Sequence, residues 1–180
     1  GGSWIGGNFW SDYNGSDTDG DGLGNTNLPY NSSGNIMNGG DYLPLTTPVI
    51  QVSNCMTISA PGLYILTTNI INSSAVVCIN ITSSNVIFDG QGYTIDGIDT
   101  FIPTIYGVYA YNPTTALTNV TVKNLIVTDW YSGIGYRSAV SGNIANNIAN
   151  SNIYGIQLAS SSNSNTLTNN AASLNYVGIY

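Results

Sequence analysis

The chain has 180 residues, enough for one domain with a proper core, or for one domain with a small appendage. Hydrophobic residues make up 42% and charged residues only 6%, with no His, no Glu, one Lys (Lys123), one Arg (Arg137) and a net charge of −7. That balance excludes nucleic acid as a partner, since its phosphates are repelled, and the Tyr-, Ile- and Val-rich composition excludes a disordered chain.

No apolar run approaches the ~18 residues of a membrane-spanning helix, so no span is expected. The chain opens on Gly rather than Met and shows no signal peptide, and it reads as a processed chain or a piece of a longer one.

In chain order, residues 1–48 carry Gly, Asp, Trp and Tyr with little periodicity, and form an irregular segment. Its centre is "NGSDTDGDGLGN". With Asp17 as the first position of a calcium loop, Asp19 and Asp21 take the third and fifth, and Gly22 allows the sharp turn. The Leu23 backbone carbonyl and Asn25 supply later oxygens. The last acidic ligand is missing in place, because Leu28 stands there; Asp41 or Asp12 is the candidate to complete the cage. The competing reading is an acidic turn with no ion. Three carboxylates this close repel, and a cation is the simplest reason to keep them together. Calcium is therefore the expected cofactor, bound weakly in calcium-rich surroundings. Zinc and copper are disfavoured by the absence of His.

From residue 49 to 180 short alternating apolar runs are separated by Asn/Ser/Gly turns, and helical periodicity is nearly absent. Cys55 and Cys78 lie just before two β-like runs, "CMTIS" and "CINIT". They are either a disulfide of an oxidising compartment or two buried thiols. Five Asn-x-Ser/Thr sequons (Asn14, Asn31, Asn72, Asn80 and Asn119) are candidate N-glycosylation sites, and a glycan coat would solubilise so uncharged a surface. Asn72, in a predicted turn, is the foremost of them.

The stretches "NVTVKNLIVTDWYSGIGY" from Asn119, "NIANNIANSNIYGIQL" from Asn143 and "NTLTNNAASLNYVGIY" from Asn165 align by their leading Asn and by Gly-Ile pairs at Gly133, Gly155 and Gly178. A repeat of twenty-odd residues made only of short strands is what one turn of a parallel β-helix needs. A β-sandwich would not keep returning the same residues. The expected fold is thus all-β: a right-handed parallel β-helix over 49–180, preceded by the calcium-binding segment.

The segment "CMTISAPGLYILTTNIINSSAVVCINITSSNVIFDGQGYTIDG" resembles the opening turns of extracellular right-handed parallel β-helix proteins of the NosD-like type, abundant in archaea. "GGNFWSDYNGSDTDGDGLGNTNLPY" followed by "DYLPL" resembles the segment that follows the last turn in such proteins. The resemblance implies a surface or extracellular location and a Cys55–Cys78 bridge. It does not extend to copper delivery, for which this chain has no His. Here the closing segment precedes the opening one.

That order suggests complementary ends. Trp4, Phe9 and Trp10 at one end and Tyr176, Ile179 and Tyr180 at the other are the expected interface of a head-to-tail homopolymer, since such a contact need not close into a ring. The expected role is a subunit of an extracellular filament or surface layer. The alternative is a carbohydrate-binding or adhesive module, in which Tyr106, Tyr109, Tyr111, Trp130, Tyr131 and Tyr136 stack on sugars. A lyase or hydrolase would have to draw on Asp89, Asp96, Asp99, Asp129, Lys123 and Arg137. Asp89 and Asp96 look like turn residues instead, and no enzyme activity is expected.

Overall fold

The computed structural model describes residues 8, 10, 12–16, 18, 23–32, 34–44, 49–98 and 104–180. The chain divides into two units, Gly1–Val49 and Ile50–Tyr180. In the first, Tyr30 and Asp41 form an antiparallel bridge, each N–H donating to the other's carbonyl at 2.8 Å.

The second unit is the expected parallel β-helix. Its first turn holds β1 (Val49–Val52) and β2 (Met56–Ile58). The second holds β3 (Gly62–Leu66) and β4 (Val77–Ile81), with an isolated bridge at Ile70 between them. The third holds β5 (Val86–Asp89), β6 (Thr94–Asp96), β7 (Tyr106–Ala110) and β8 (Leu117–Thr118). The fourth repeats this with β9 (Val120–Lys123), β10 (Ile126–Thr128), β11 (Ser132–Arg137) and β12 (Ala139–Val140). The fifth holds β13 (Asn143–Ala145), β14 (Ile148–Asn150) and β15 (Tyr154–Ala159), and the sixth β16 (Thr166–Thr168) and β17 (Val177–Ile179).

Strands of successive turns stack in register. One sheet runs β1-β3-β5-β9-β13-β16, a second β2-β4-β7-β11-β15-β17, and a third β6-β10-β14, with β8-β12 at a further corner. Among the described residues no helix is long and apolar enough to cross a membrane.

Alternation decides what faces inward. Ile79, Val108, Ile134 and Ile156 form one fully buried ladder, Phe88, Val122 and Ile144 another, and Ile95, Val127 and Ala149 a third. Each large side chain so removed from water contributes roughly 1.5–3 kcal/mol. The Gly-Ile pairs combine two needs. The Ile enters the core, while a Cβ on Gly133 would lie 2.8 Å from the Gly155 carbonyl oxygen of the next turn.

The corners are single residues in the left-handed region, at matching places in each turn. Asn119, Ser141 and Ser164 mark one corner, Asn124, Asn146 and Asn169 the next, and Asp129, Ser151 and Leu174 a third. Short polar side chains tolerate this conformation through local hydrogen bonding, which explains the Asn/Ser richness of the turns. Leu174 is the exception: it holds φ 56° and is 84% exposed.

The repeat seen in the sequence is real but its frame differs in part. The Gly133, Gly155 and Gly178 positions do stack, through the flanking pairs Ile134–Ile156–Ile179. Asn143, however, pairs with Thr121 and Thr166, not with Asn119 and Asn165. The later turns are 22 or 23 residues apart, whereas Asn85 and Asn119, on consecutive turns, are separated by 34. The additional length of the third turn lies between β6 and β7 and after β7.

Candidate functional site

The acidic loop of the first unit is closed at its neck. Asn25 N–H donates to the Ser16 carbonyl at 2.8 Å and Ser16 N–H to Thr26 Oγ1 at 2.7 Å. The Asn25 side-chain oxygen accepts from both the N–H and the hydroxyl of Thr18, at 2.6 and 2.9 Å. Tyr13 braces the neck by donating its hydroxyl to the Thr26 carbonyl at 2.5 Å. Leu23 is buried inside the loop's far limb, and Gly24 N–H donates to the Pro44 carbonyl. Asp17, Asp19 and Asp21, the proposed calcium carboxylates, lie outside the described residues, as do Trp4 and Phe9 of the expected interface. Among the described residues no three acidic or thiol groups converge on a metal-sized site.

Asp41 has work of its own. Its Oδ2 accepts from Asn8 N–H at 2.7 Å and from Trp10 Nε1 at 2.9 Å, and its Oδ1 from Leu43 N–H at 3.0 Å. Burial pushes its carboxyl up, but the hydrogen bonds from Trp10, Asn8 and Leu43 outweigh that and hold its pKa below the ordinary value. Trp10 is half-buried and packs on Tyr30, ring centroids 5.3 Å apart, with Tyr13 edge-on to the same ring. Both residues thus organise this unit locally.

Along the coil Asp89 and Asp96 serve turns, as the sequence suggested, while Asp99 lies outside the described residues. Asp96 accepts from Asn72 N–H at 2.9 Å. Asp89 Oδ1 accepts from Gln91 N–H and Asn124 Nδ2, and its Oδ2 lies 3.1 Å from Lys123 Nζ on the next turn. Burial pushes the Asp89 carboxyl up, yet the donors Asn124, Gln91 and Lys123, with the Lys123 charge, hold it below the usual range. A carboxylate depressed by folding stabilises the protein above its unfolded pKa and loses that contribution as pH falls through the folded one. Wild type is therefore expected to melt above Asp89→Asn near neutral pH, with the gap closing as pH falls through and below the ordinary carboxylate range. Thermal melts of both proteins across that range check it; a constant gap would mean that Asp89 is not charge-stabilised.

Six tyrosines follow the sheet that contains β11. Tyr106 and Tyr109 stack at 4.0 Å, Tyr109 meets Tyr111 at 5.5 Å, and the Arg137 guanidinium lies over Tyr111 at 5.4 Å. Tyr131, Tyr154 and Tyr180 form a second row, each pair 5.5 Å apart and steeply tilted. The second row packs from turn to turn, as cross-strand ladders do, whereas Tyr106, Tyr109 and Tyr111 pack on one another along β7 and its end. Trp130 and Tyr136, expected among the sugar-stacking residues, are instead buried at 2% and 1% exposure. Trp130 donates Nε1 to the Ile95 carbonyl and Tyr136 its hydroxyl to the Val120 carbonyl.

Two buried residues that the sequence reading did not single out hold the turns together: Asn147 and Asn152. Each accepts a backbone N–H of the preceding turn, from Leu125 and Trp130, and donates to a carbonyl there, on Val122 and Val127. Asn170 and Asn175 repeat the motif one turn on. The signal available was the recurrence of Asn at 23-residue spacing.

The sixth turn exposes Leu174 (84%), Tyr176 (86%), Ile179 (53%) and Tyr180 (68%). Cys55 and Cys78 are joined as a disulfide. Among the sequons, Asn72 is exposed at φ 51°, Asn31 and Asn14 are exposed with their side-chain oxygens accepting from Gly34 and Asn27, and Asn119 is exposed and bonded to Asn85. Asn80 is half-buried on β4 between Thr57 and Tyr109.

Comparison with protein-family models, with curated proteins and with solved structures gave no match for the chain.

Proposed function

We propose that this protein is a structural subunit of an extracellular filament or cell-surface layer, in which parallel β-helix units join end to end. The observation that carries the reading is the apolar surface of the sixth turn. Four large side chains there stand in water on top of a stack whose every other interface is a parallel strand pairing. Of these, Ile179 continues the buried ladder of Ile134 and Ile156, and an inward layer of this kind is suited to another such layer.

Calcium belongs to the same reading. An all-oxygen loop carrying Asp17, Asp19, Asp21 and the Leu23 carbonyl, tied at its neck by Asn25 and Thr18, has the donor chemistry of a calcium site. Asn25 then acts as the tie. With both Asp41 oxygens already accepting, Asp12 is the alternative last carboxylate. N-glycans fit on Asn72 and the other exposed sequons, while Asn80 is the least accessible. Kinship with NosD-like β-helix proteins is supported by the disulfide and by the opening turns formed from Cys55 to Gly97. The disulfide also favours an oxidising, extracellular setting.

A second reading, a carbohydrate-binding or adhesive module, has one observation in its favour, the half-exposed outer tyrosines Tyr106, Tyr109, Tyr111, Tyr131 and Tyr154.

Electron microscopy and sedimentation of the full chain at millimolar calcium, after chelation, and with Ile179→Asp separate the two. Filaments that fall apart on chelation and do not form with Ile179→Asp are the expected result. Monodisperse particles in every condition would overturn end-to-end assembly, and retention on immobilised glycans would then favour the second reading.

A further inference from the structure

The sequence contains two Asn-Gly steps, Asn14-Gly15 and Asn38-Gly39, and their surroundings are opposite. At the first, the Asn14 side-chain oxygen accepts from Asn27 Nδ2 at 3.1 Å, and Gly15 lies against the Tyr13 ring and the Thr26 carbonyl. At the second, both residues are exposed, and Asn38 holds φ 61°. A Cβ placed on Gly39 meets no atom within 4 Å, and the preceding Met37 is 83% exposed. Among the described residues, nothing at this step holds the side-chain amide or shields the following N–H.

We propose that Asn38-Gly39 is a site of spontaneous covalent modification. The Gly39 backbone nitrogen attacks the Asn38 side-chain carbonyl carbon. A new C–N bond forms, the bond to the side-chain nitrogen breaks, solvent takes the Gly39 amide proton, and ammonia leaves with a proton from water. The resulting succinimide is opened by water at either carbonyl, giving aspartate or its β-linked isomer at position 38. The balance is one water consumed and one ammonia released, with no oxidant and no cofactor. Glycine is what permits it: with no side chain on the following residue, the attacking nitrogen approaches unhindered. Asn is among the thermolabile residues for this reason.

The product has a structural consequence. It adds a negative charge to a chain already at −7, three residues before Asp41. The β-linked form also lengthens the backbone leading to the carboxylate that holds Asn8, Trp10 and Leu43. The inference does not depend on the filament reading.

The test is peptide mapping by mass spectrometry of the intact, folded chain kept at mildly alkaline pH over days, alongside Gly39→Ala. Alanine has room at this position, so the variant folds as wild type does. The expected result is the mass change of amide to acid at Asn38, split between α- and β-linked products. Asn14 stays an amide, and Gly39→Ala slows the conversion by about tenfold, a barrier increase of about 1.4 kcal/mol. An unchanged Asn38, equal conversion at Asn14, or a Gly39→Ala protein that converts as fast as wild type would each overturn the proposal.

Discussion

Replacing both Cys55 and Cys78 with alanine is expected to lower the melting temperature of the β-helix by roughly 10 °C, a loss of roughly 3 kcal/mol. The bridge closes a loop with a sequence separation of 23. Its removal gives that loop back its freedom in the unfolded chain, where most of the effect of a cross-link resides. Position in the solenoid adds to this. Cys55 precedes β2 and Cys78 lies within β4, so the bond fastens the first turn to the second, where Met56–Ile58 pairs with Ile79–Ile81. Among the described residues, β1 and β2 each have a paired neighbour on one side only. Solenoid stability is close to a sum of nearest-neighbour terms, so unfolding starts most easily at such an end. Hydrogen exchange should accordingly show the amides of β2 and β4 losing protection before those of β11. Calorimetry of the variant against the oxidised and reduced wild type is the check. A melting temperature within about 2 °C of the oxidised protein would show that sheet pairing alone secures the first turn.

Much of this fold can be read in the chain because alternation and repeat are written redundantly. Val122, Ile126 and Ile134 each recur in kind on the next turn, as Ile144, Ile148 and Ile156, and the Gly-Ile pairs keep the correct register. What could not be read is which of several jobs a given Asn performs. Asn124 is a left-handed corner, Asn147 an inward tie, and Asn143 an outward strand residue beside Thr121 and Thr166. One residue type satisfies all three environments, so aligning Asn119 with Asn143 by identity misplaced the frame by two residues. Tyr136 and Trp130 were missed for a related reason. Residues 132–136 are all buried, two of them glycines that make alternation uncountable, and parity is lost before Tyr136. Trp130 sits where Asn152 and Asn175 sit on later turns, an inward place that only the register reveals. In the acidic loop the spacing of carboxylates was legible, but not the neck, because the pairing of Thr18 with Asn25 is a matter of chain geometry.

The buried asparagines give the sharpest contrast between neighbours. Asn147→Leu is expected to destabilise by about 3–5 kcal/mol, although leucine is the residue at the stacked position of the preceding turn, Leu125. Asn147 is fully buried. Its side-chain oxygen accepts from Leu125 N–H at 3.1 Å, and its amide donates to the Val122 carbonyl and to Asn170 Oδ1, both at 3.0 Å. Leucine fills similar space and gains some burial energy, but it strands the Leu125 N–H, the Val122 carbonyl and part of Asn170 away from water. Each orphaned group costs roughly 1–3 kcal/mol, more than the added apolar burial returns. Leu125 escapes this penalty because Asn147 stands on the turn after it. The adjacent Asn146 is exposed at a corner with φ 57°, where Ser141 and Ser151 occupy equivalent conformations. Asn146→Ser should therefore stay within about 0.5 kcal/mol of wild type. Denaturant unfolding of the two single variants measures the difference directly. Equal stability would mean that the ladder's hydrogen bonds are replaced by water entering the stack, and that the turns are held by their apolar ladders alone.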